Sequence, residues 1–168
     1  MSDNEAARSI LLALAPDGAA SPTGGRAQQA ALRAAQQRLH DWLRGQGLRD
    51  GDLTIVVGSG QLHAERGRPR ALVELLRAAW RGPSSQALLD SLPIAGVDGT
   101  LVHRMTSGAA TGQAYLKTGT LSDTRALAGY VRAKSGKLYA VSMVVTHAEA
   151  ARARPALDAL VEWIATAG

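Results

Sequence analysis

The last third of the chain constrains the fold most. Three apolar, β-rich runs follow one another at about 114–121, 126–133 and 138–146, parted only by short breaks. The break "AKSGK" before the third run is a tight hairpin signal. A meander of this kind gives an antiparallel sheet, and one face of it must be covered. The covering elements are legible as helices. Residues 149–166 carry Leu157, Leu160, Val161 and Ile164 on one helical face. Residues 26–44 place Leu32, Ala35, Leu39 and Trp42 at steps of three and four, with Arg and Gln opposite. A helix after Pro69 aligns Leu72, Leu75, Leu76 and Ala79. Ser84 or Ser85 caps a further short helix.

The N-terminal stretch "SDNEAARSILLALA" reads as a helix with Ser2, Asp3 or Asn4 near its N-cap and Glu5 in the first turn. "PDGAASPTGG" is a loop, and "LTIVV" at 53–57 is a short buried strand ended by "GSG". Tyr130 and Trp163 are expected in the core. No βαβ alternation, nucleotide loop or internal repeat is present. The expected class is α/β in the α+β sense: an antiparallel sheet flanked by helices, in one domain over residues 1–168.

Composition narrows the function. At 168 residues, 46% hydrophobic and 20% charged, the chain has an ordinary globular make-up. No apolar run approaches the ~18 residues of a transmembrane helix. Cysteine is absent, which excludes disulfides, thiolate metal sites and cysteine nucleophiles. His40, His63, His103 and His147 show no ligand spacing, so neither metal nor cofactor is expected. The net charge of +5 raises a nucleic-acid partner as one hypothesis. Only three lysines occur, the arginines are scattered, and no basic-aromatic groove pattern accompanies them, so no nucleic-acid site is expected.

Three short elements carry polar chemistry: Ser2-Asp3-Asn4, Gly58-Ser59-Gly60 and Lys117-Thr118-Gly119-Thr120. Each has a plain structural reading. Asp3 and Asn4 can cap a helix, Ser59 can be a turn residue, and Lys117 can be an edge-strand lysine. Singly they are weak; a three-residue string recurs by chance.

Longer strings make the pattern specific. "SLPIAGVDGTL", then Arg104, then "LKTGTL", then "ALAGYV", in this order, resembles the class C low-molecular-mass penicillin-binding proteins of the penicillin-binding protein 4 type. "SDNEAARSILLALA" resembles the same family's segment after its second motif. The likeness runs from Ser2 to the last helix. A class A β-lactamase shares the two short motifs, but the longer strings point away from it.

The resemblance implies the C-terminal part of a penicillin-binding/β-lactamase transpeptidase fold. It implies a D-alanyl-D-alanine carboxypeptidase or endopeptidase acting on peptidoglycan stem peptides through an acyl-enzyme, and acylated by β-lactams. Ser2 would relay a proton, and Asn4 would donate its amide to the donor peptide. Lys117 would place positive charge beside Ser2 and the substrate carboxylate. Thr118 and Thr120 would hydrogen-bond that carboxylate. Gly119 would let the substrate backbone approach, and the Thr120 N–H would supply half of the oxyanion hole. Arg104, Asp98 and Gly99 would pack the neighbouring loop. A periplasmic or extracellular location is implied, although the acidic start and short "ILLALA" do not form an export signal.

The family's nucleophile lies in a Ser-x-x-Lys motif, and no such string occurs here. Ala114, Val131 and Lys134 stand three residues before the three lysines. An upstream segment or a second chain carrying it is therefore expected as a partner, with this chain inactive alone. A non-catalytic relative that binds stem peptides or β-lactams is the alternative. The loop after "GSG" also departs from the family: Gln61-Leu62-His63-Ala64-Glu65 replaces the usual Leu-Ser-Arg and Asn, and Val57 stands where Asp is usual. A sheet edge missing its neighbours predicts a chain that is less stable than its length suggests, or that dimerises.

Overall fold

The computed structural model describes residues 3–16, 25–60, 62 and 64–168. Ser2 and most of the "PDGAASPTGG" loop lie outside the described residues. The chain divides into two compact units, one ending at Ala71 and the other running from Leu72 to Gly168.

The first unit opens with α1 (Asn4–Leu12). Asp3 is its N-cap, and its Oδ1 accepts the Ala6 N–H at 2.9 Å. Helix α2 (Gly25–Gly45) follows. Leu11 and Ala15 meet Ala35, with Ala31, Leu32, Leu39 and Ile55 packed around them. The face expected on α2 is correct except at its end. Trp42 is 49% exposed and Leu43 is buried in its place.

The strand expected over 53–57 is much shorter. Only β1 (Leu53–Thr54) pairs, antiparallel, with β2 (Arg66–Gly67). The reason is a competing acceptor. Glu65 Oε1 takes the N–H groups of Val56, Val57 and Gly58 at 3.0, 2.9 and 2.7 Å, and Oε2 takes that of Gly60 at 2.7 Å. Amides bound to one carboxylate cannot also extend a ladder. Gln36 Nε2 donates to the Val56 carbonyl at 2.7 Å and ties this loop to α2. Positive φ at Gly58 (80°) and Gly60 (73°) lets the chain curl around Glu65.

The second unit holds most of α3 (Pro69–Arg81), α4 (Ser85–Asp90), and the sheet of β3 (Ala114–Thr120), β4 (Thr124–Arg132) and β5 (Leu138–Thr146). Ser84 is the N-cap of α4 but makes no side-chain cap bond. The sheet is the expected antiparallel meander, in the order β3-β4-β5. The expected C-terminal helix divides into a 3₁₀ turn (Ala150–Ala153) and α5 (Arg154–Ala167). Pro155 has no N–H to give, which suits the first turn of a helix and not its interior.

One face of the sheet supplies Leu116, Leu127, Val131 and Val141 to a core shared with Leu157, Val161 and Ala165 of α5. Leu160, expected on that face, is 48% exposed. On the opposite face Tyr130 is buried. Its hydroxyl donates to the Leu76 carbonyl of α3 at 2.7 Å, and its ring lies 5.6 Å from that of Trp80. Trp163 corrects the expectation of a core residue: it is 66% exposed on α5, because the helical turn that buries Val161 and Ala165 points position 163 outward. Gly129 is fixed by close approach. Its φ is 150°, and a Cβ there would lie 2.1 Å from the Tyr115 carbonyl oxygen.

Candidate active site

Strand β3 is the first strand of its sheet, so one of its sides is not taken by β4. The first half of that side is covered by a loop. The Leu116 N–H donates to the Pro93 carbonyl and the Ala95 N–H to the Ala114 carbonyl, both at 2.9 Å, with a bridge between Ile94 and Tyr115. Leu116 thus points its backbone groups out of the sheet. Antiparallel strands alternate in this respect with a period of two, so Thr118 and Thr120 also turn their N–H and C=O groups outward. The Thr118 carbonyl agrees, since it accepts Lys117 Nζ at 2.8 Å. No described residue pairs with β3 on that side beyond Leu116. The Lys-Thr-Gly-Thr stretch is an open backbone edge of the kind that an extended peptide can join.

The side chains on this edge are set by their neighbours. Lys117 is exposed and meets no carboxylate among the described residues. Thr118 Oγ1 lies 3.1 Å from Thr100 Oγ1. Thr100 sits in a 3₁₀ turn (Gly99–Leu101) that is itself well fixed. Asp98 Oδ1 accepts the Ile94 N–H at 2.7 Å, and Gly99, at φ 53°, packs on Pro93. Arg104 pairs with Asp158 of α5, both largely buried. These contacts give Asp98, Gly99 and Arg104 the loop-packing part expected of them. A Cβ on Gly119 would come 3.2 Å from that of Ala126 on β4, tighter than ordinary contact.

Behind the edge lies a recess of about 370 Å³, lined by Thr100, Thr118, Gly119 and Thr120 together with Arg125 and Arg154. The structure therefore gathers three of the expected residues, Thr118, Gly119 and Thr120, around one cavity. Asn4 lies in the first turn of α1, in the other unit. It is half-buried, and its side chain has no hydrogen-bond partner among the described residues. Ser2 lies outside the described residues. Three residues escaped the sequence reading: Thr100, Arg125 and Arg154. The register of the β3–β4 hairpin, which sets Thr120 opposite Arg125, was the signal that could have found the second.

The chain matches the model of the D-Ala-D-Ala carboxypeptidase 3 (S13) family over residues 1–167. It belongs to that family. Among curated relatives, it is 39% identical over 101 residues to a D-alanyl-D-alanine carboxypeptidase of Actinomadura sp. (strain R39), covering 57% of this chain and 19% of that protein. It is 34% identical over 132 residues to carboxypeptidase DacB of Mycolicibacterium smegmatis, covering 75% of this chain and 28% of that one. The chain thus spans about a fifth to just over a quarter of these relatives' length. In fold it is similar to penicillin-binding protein 4 of Haemophilus influenzae, solved with a β-lactam. The TM-score is 0.71 at 24% identity, over 96% of this chain and 39% of that one. The α+β architecture with an antiparallel sheet is that of the penicillin-binding fold, and the Lys-Thr-Gly edge of this S13 chain lies on that scaffold.

Proposed function

We propose that the chain provides the substrate-binding wall of a serine-type D-Ala-D-Ala carboxypeptidase or endopeptidase acting on peptidoglycan stem peptides. One observation carries the reading. The outward N–H and C=O groups of Thr118 and Thr120, a glycine between them and a cation beside them form an edge complementary to a short peptide ending in a carboxylate. Lys117 supplies charge to the substrate carboxylate. The hydroxyls of Thr118 and Thr120 hold that group, and the Thr120 N–H faces the oxygen that becomes negative on attack. Asn4 anchors the donor peptide through its amide, and Ser2 passes a proton to the leaving nitrogen. No metal or cofactor enters the scheme.

The serine nucleophile comes from a Ser-x-x-Lys segment outside these 168 residues, and the two units act as parts of one transpeptidase-like domain with it. The site works outside the cytoplasm, where stem peptides are found. β-Lactams are the second ligand class. Among the described residues no helix is long and apolar enough to cross a membrane.

Intact-mass measurement of the chain after incubation with benzylpenicillin tests the division of labour. No adduct is expected from the chain alone, and an adduct is expected once a Ser-x-x-Lys segment is supplied in the same polypeptide. An adduct on the unaided chain would place the nucleophile on one of its own serines and replace this mechanism. Peptide binding that persists while the extended polypeptide stays unacylated would favour the non-catalytic binding alternative.

A further inference from the structure

Within the string "SLPIAGVDGTL", Asp98 and Gly99 pack the loop, and Thr100 has no such part. Thr100 is exposed, yet the 3₁₀ turn that carries it is firmly held. Its neighbour Leu101 is fully buried in the core, and the Leu101 carbonyl accepts the N–H groups of Gly96 at 3.0 Å and Arg104 at 2.9 Å. The same loop is bonded to β3 through Pro93 and Ala95. Thr100 is thereby fixed relative to the strand that bears Thr118, and its side chain makes one hydrogen bond among the described residues. In that bond the Thr118 hydroxyl donates to Thr100 Oγ1 at 3.1 Å. A threonine hydroxyl has one proton and two lone pairs. With the edge empty, Thr118 gives its proton to Thr100 and keeps only lone pairs for a further partner. A carboxylate, which also offers only lone pairs, cannot bond to it in that state. The Thr100 proton has no acceptor among the described residues, so the bond is free to reverse. Both hydroxyls then rotate, Thr100 donates to Thr118, and the Thr118 proton is released to the ligand.

We propose that Thr100 is a positioning residue for the substrate carboxylate: by donating to Thr118 Oγ1 it turns the Thr118 proton onto that group. The proposal rests on the stem-peptide reading above, in which Thr118 holds the terminal carboxylate. A peptide lying along the edge shuts water away from the hydroxyl pair, so a donor fixed in the protein replaces the one that water supplied. Reversal is needed only where the ligand accepts. Thr100 therefore favours a free carboxylate over a carboxamide, whose N–H uses the Thr118 lone pairs as they stand.

The test follows the Thr118 methyl signal by NMR in the full 168-residue chain, titrated with N-acetyl-D-Ala-D-Ala and with its C-terminal amide. Two variants are compared with wild type. Thr100→Val keeps the shape and removes the hydroxyl, and Thr100→Ser keeps the hydroxyl. Thr100→Val is expected to weaken binding of the acid about three- to fivefold, the scale of one net hydrogen bond, and binding of the amide by less than about 1.5-fold. Thr100→Ser is expected to bind the acid within about twofold of wild type. Equal weakening of acid and amide would make the part of Thr100 merely structural and overturn the proposal. So would a Thr100→Val chain that binds the acid as tightly as wild type, or a Thr100→Ser chain that binds it no better than Thr100→Val. In each of these cases the wild-type chain still binds the acid, and the stem-peptide reading stands. A wild-type chain that binds neither peptide would instead overturn the stem-peptide reading, and the part given to Thr100 with it.

Discussion

Replacing Glu65 by alanine should unfasten the Gly58-Ser59-Gly60 loop. In the folded chain the Glu65 carboxylate accepts four backbone N–H groups. Two of these bonds, from Val56 and Val57, are part-buried, and those from Gly58 and Gly60 are exposed. Exposed amides turn to water at little cost, so only the part-buried pair should count. An unsatisfied buried donor costs about 1–3 kcal/mol. Two of them would cost about 2–6 kcal/mol if fully buried, and their partial exposure brings the expected loss for Glu65→Ala near neutral pH to about 1–4 kcal/mol. Glu65→Gln keeps one oxygen for three donors but sets an amide against the Gly60 N–H, so it should lose roughly half as much.

The pH dependence carries the sharper test. Burial opposes ionisation of Glu65, but its backbone hydrogen bonds outweigh that and hold its carboxyl below the ordinary value of 4.5. A carboxyl depressed on folding contributes stability that is complete above the unfolded value. That contribution is lost as pH falls through the folded one. The difference between wild type and Glu65→Ala should therefore be constant above about pH 6 and shrink steadily below 4.5. Urea unfolding followed by circular dichroism, at pH 7 and at pH 3.5, measures it. A difference under about 0.5 kcal/mol at pH 7, or one that does not fall at pH 3.5, would refute the claim that an ionised Glu65 organises the loop.

Other perturbations have clear expected outcomes. Gly129→Ala drives a Cβ into the Tyr115 carbonyl at 2.1 Å and should cost more than about 4 kcal/mol, read as loss of soluble folded chain by circular dichroism and size exclusion. Tyr130→Phe removes a 2.7 Å bond to the Leu76 carbonyl and should cost about 1–2 kcal/mol in urea unfolding. Val161→Ala opens a gap at a fully buried position and should cost about 1–3 kcal/mol, whereas Trp163→Ser at an exposed one should stay within about 0.5 kcal/mol; the contrast tests the assigned face of α5 by thermal melts.

What the sequence made legible was whatever a local period controls. The β3–β4–β5 meander follows from three apolar runs and tight breaks, and helices α1, α2 and α3 follow from their apolar spacing and from Asp3 and Pro69 at their starts. One expectation failed because a polar contact from outside the run overrode a local preference. The β-branched run at 53–57 has strand propensity, yet Glu65, several residues later, takes its amides and stops the ladder after Thr54. Trp163 is a different case: a large apolar side chain suggests a core place, but the turn of α5 points it outward. The departure after Gly58-Ser59-Gly60 looked like a loss in sequence terms. In the fold, the residue at its end, Glu65, anchors the backbone between Val56 and Gly60.

The edge itself shows the same division. Lys117, Thr118, Gly119 and Thr120 could be named from their order alone, because a strand presents alternate groups in a fixed way. That Thr118 and Thr120, and not Lys117 and Gly119, face outward required the Leu116–Pro93 hydrogen bond, which joins the strand to a segment more than twenty residues earlier. The charge behind the edge was less visible still. Arg125 and Arg154 are two of many scattered arginines in the sequence, and only the hairpin register and the start of α5 bring them to one recess. A motif can specify an open backbone edge, because strand geometry alone fixes which groups alternate along it. The recess beside that edge is assembled from tertiary contacts instead, so no single run of sequence shows it.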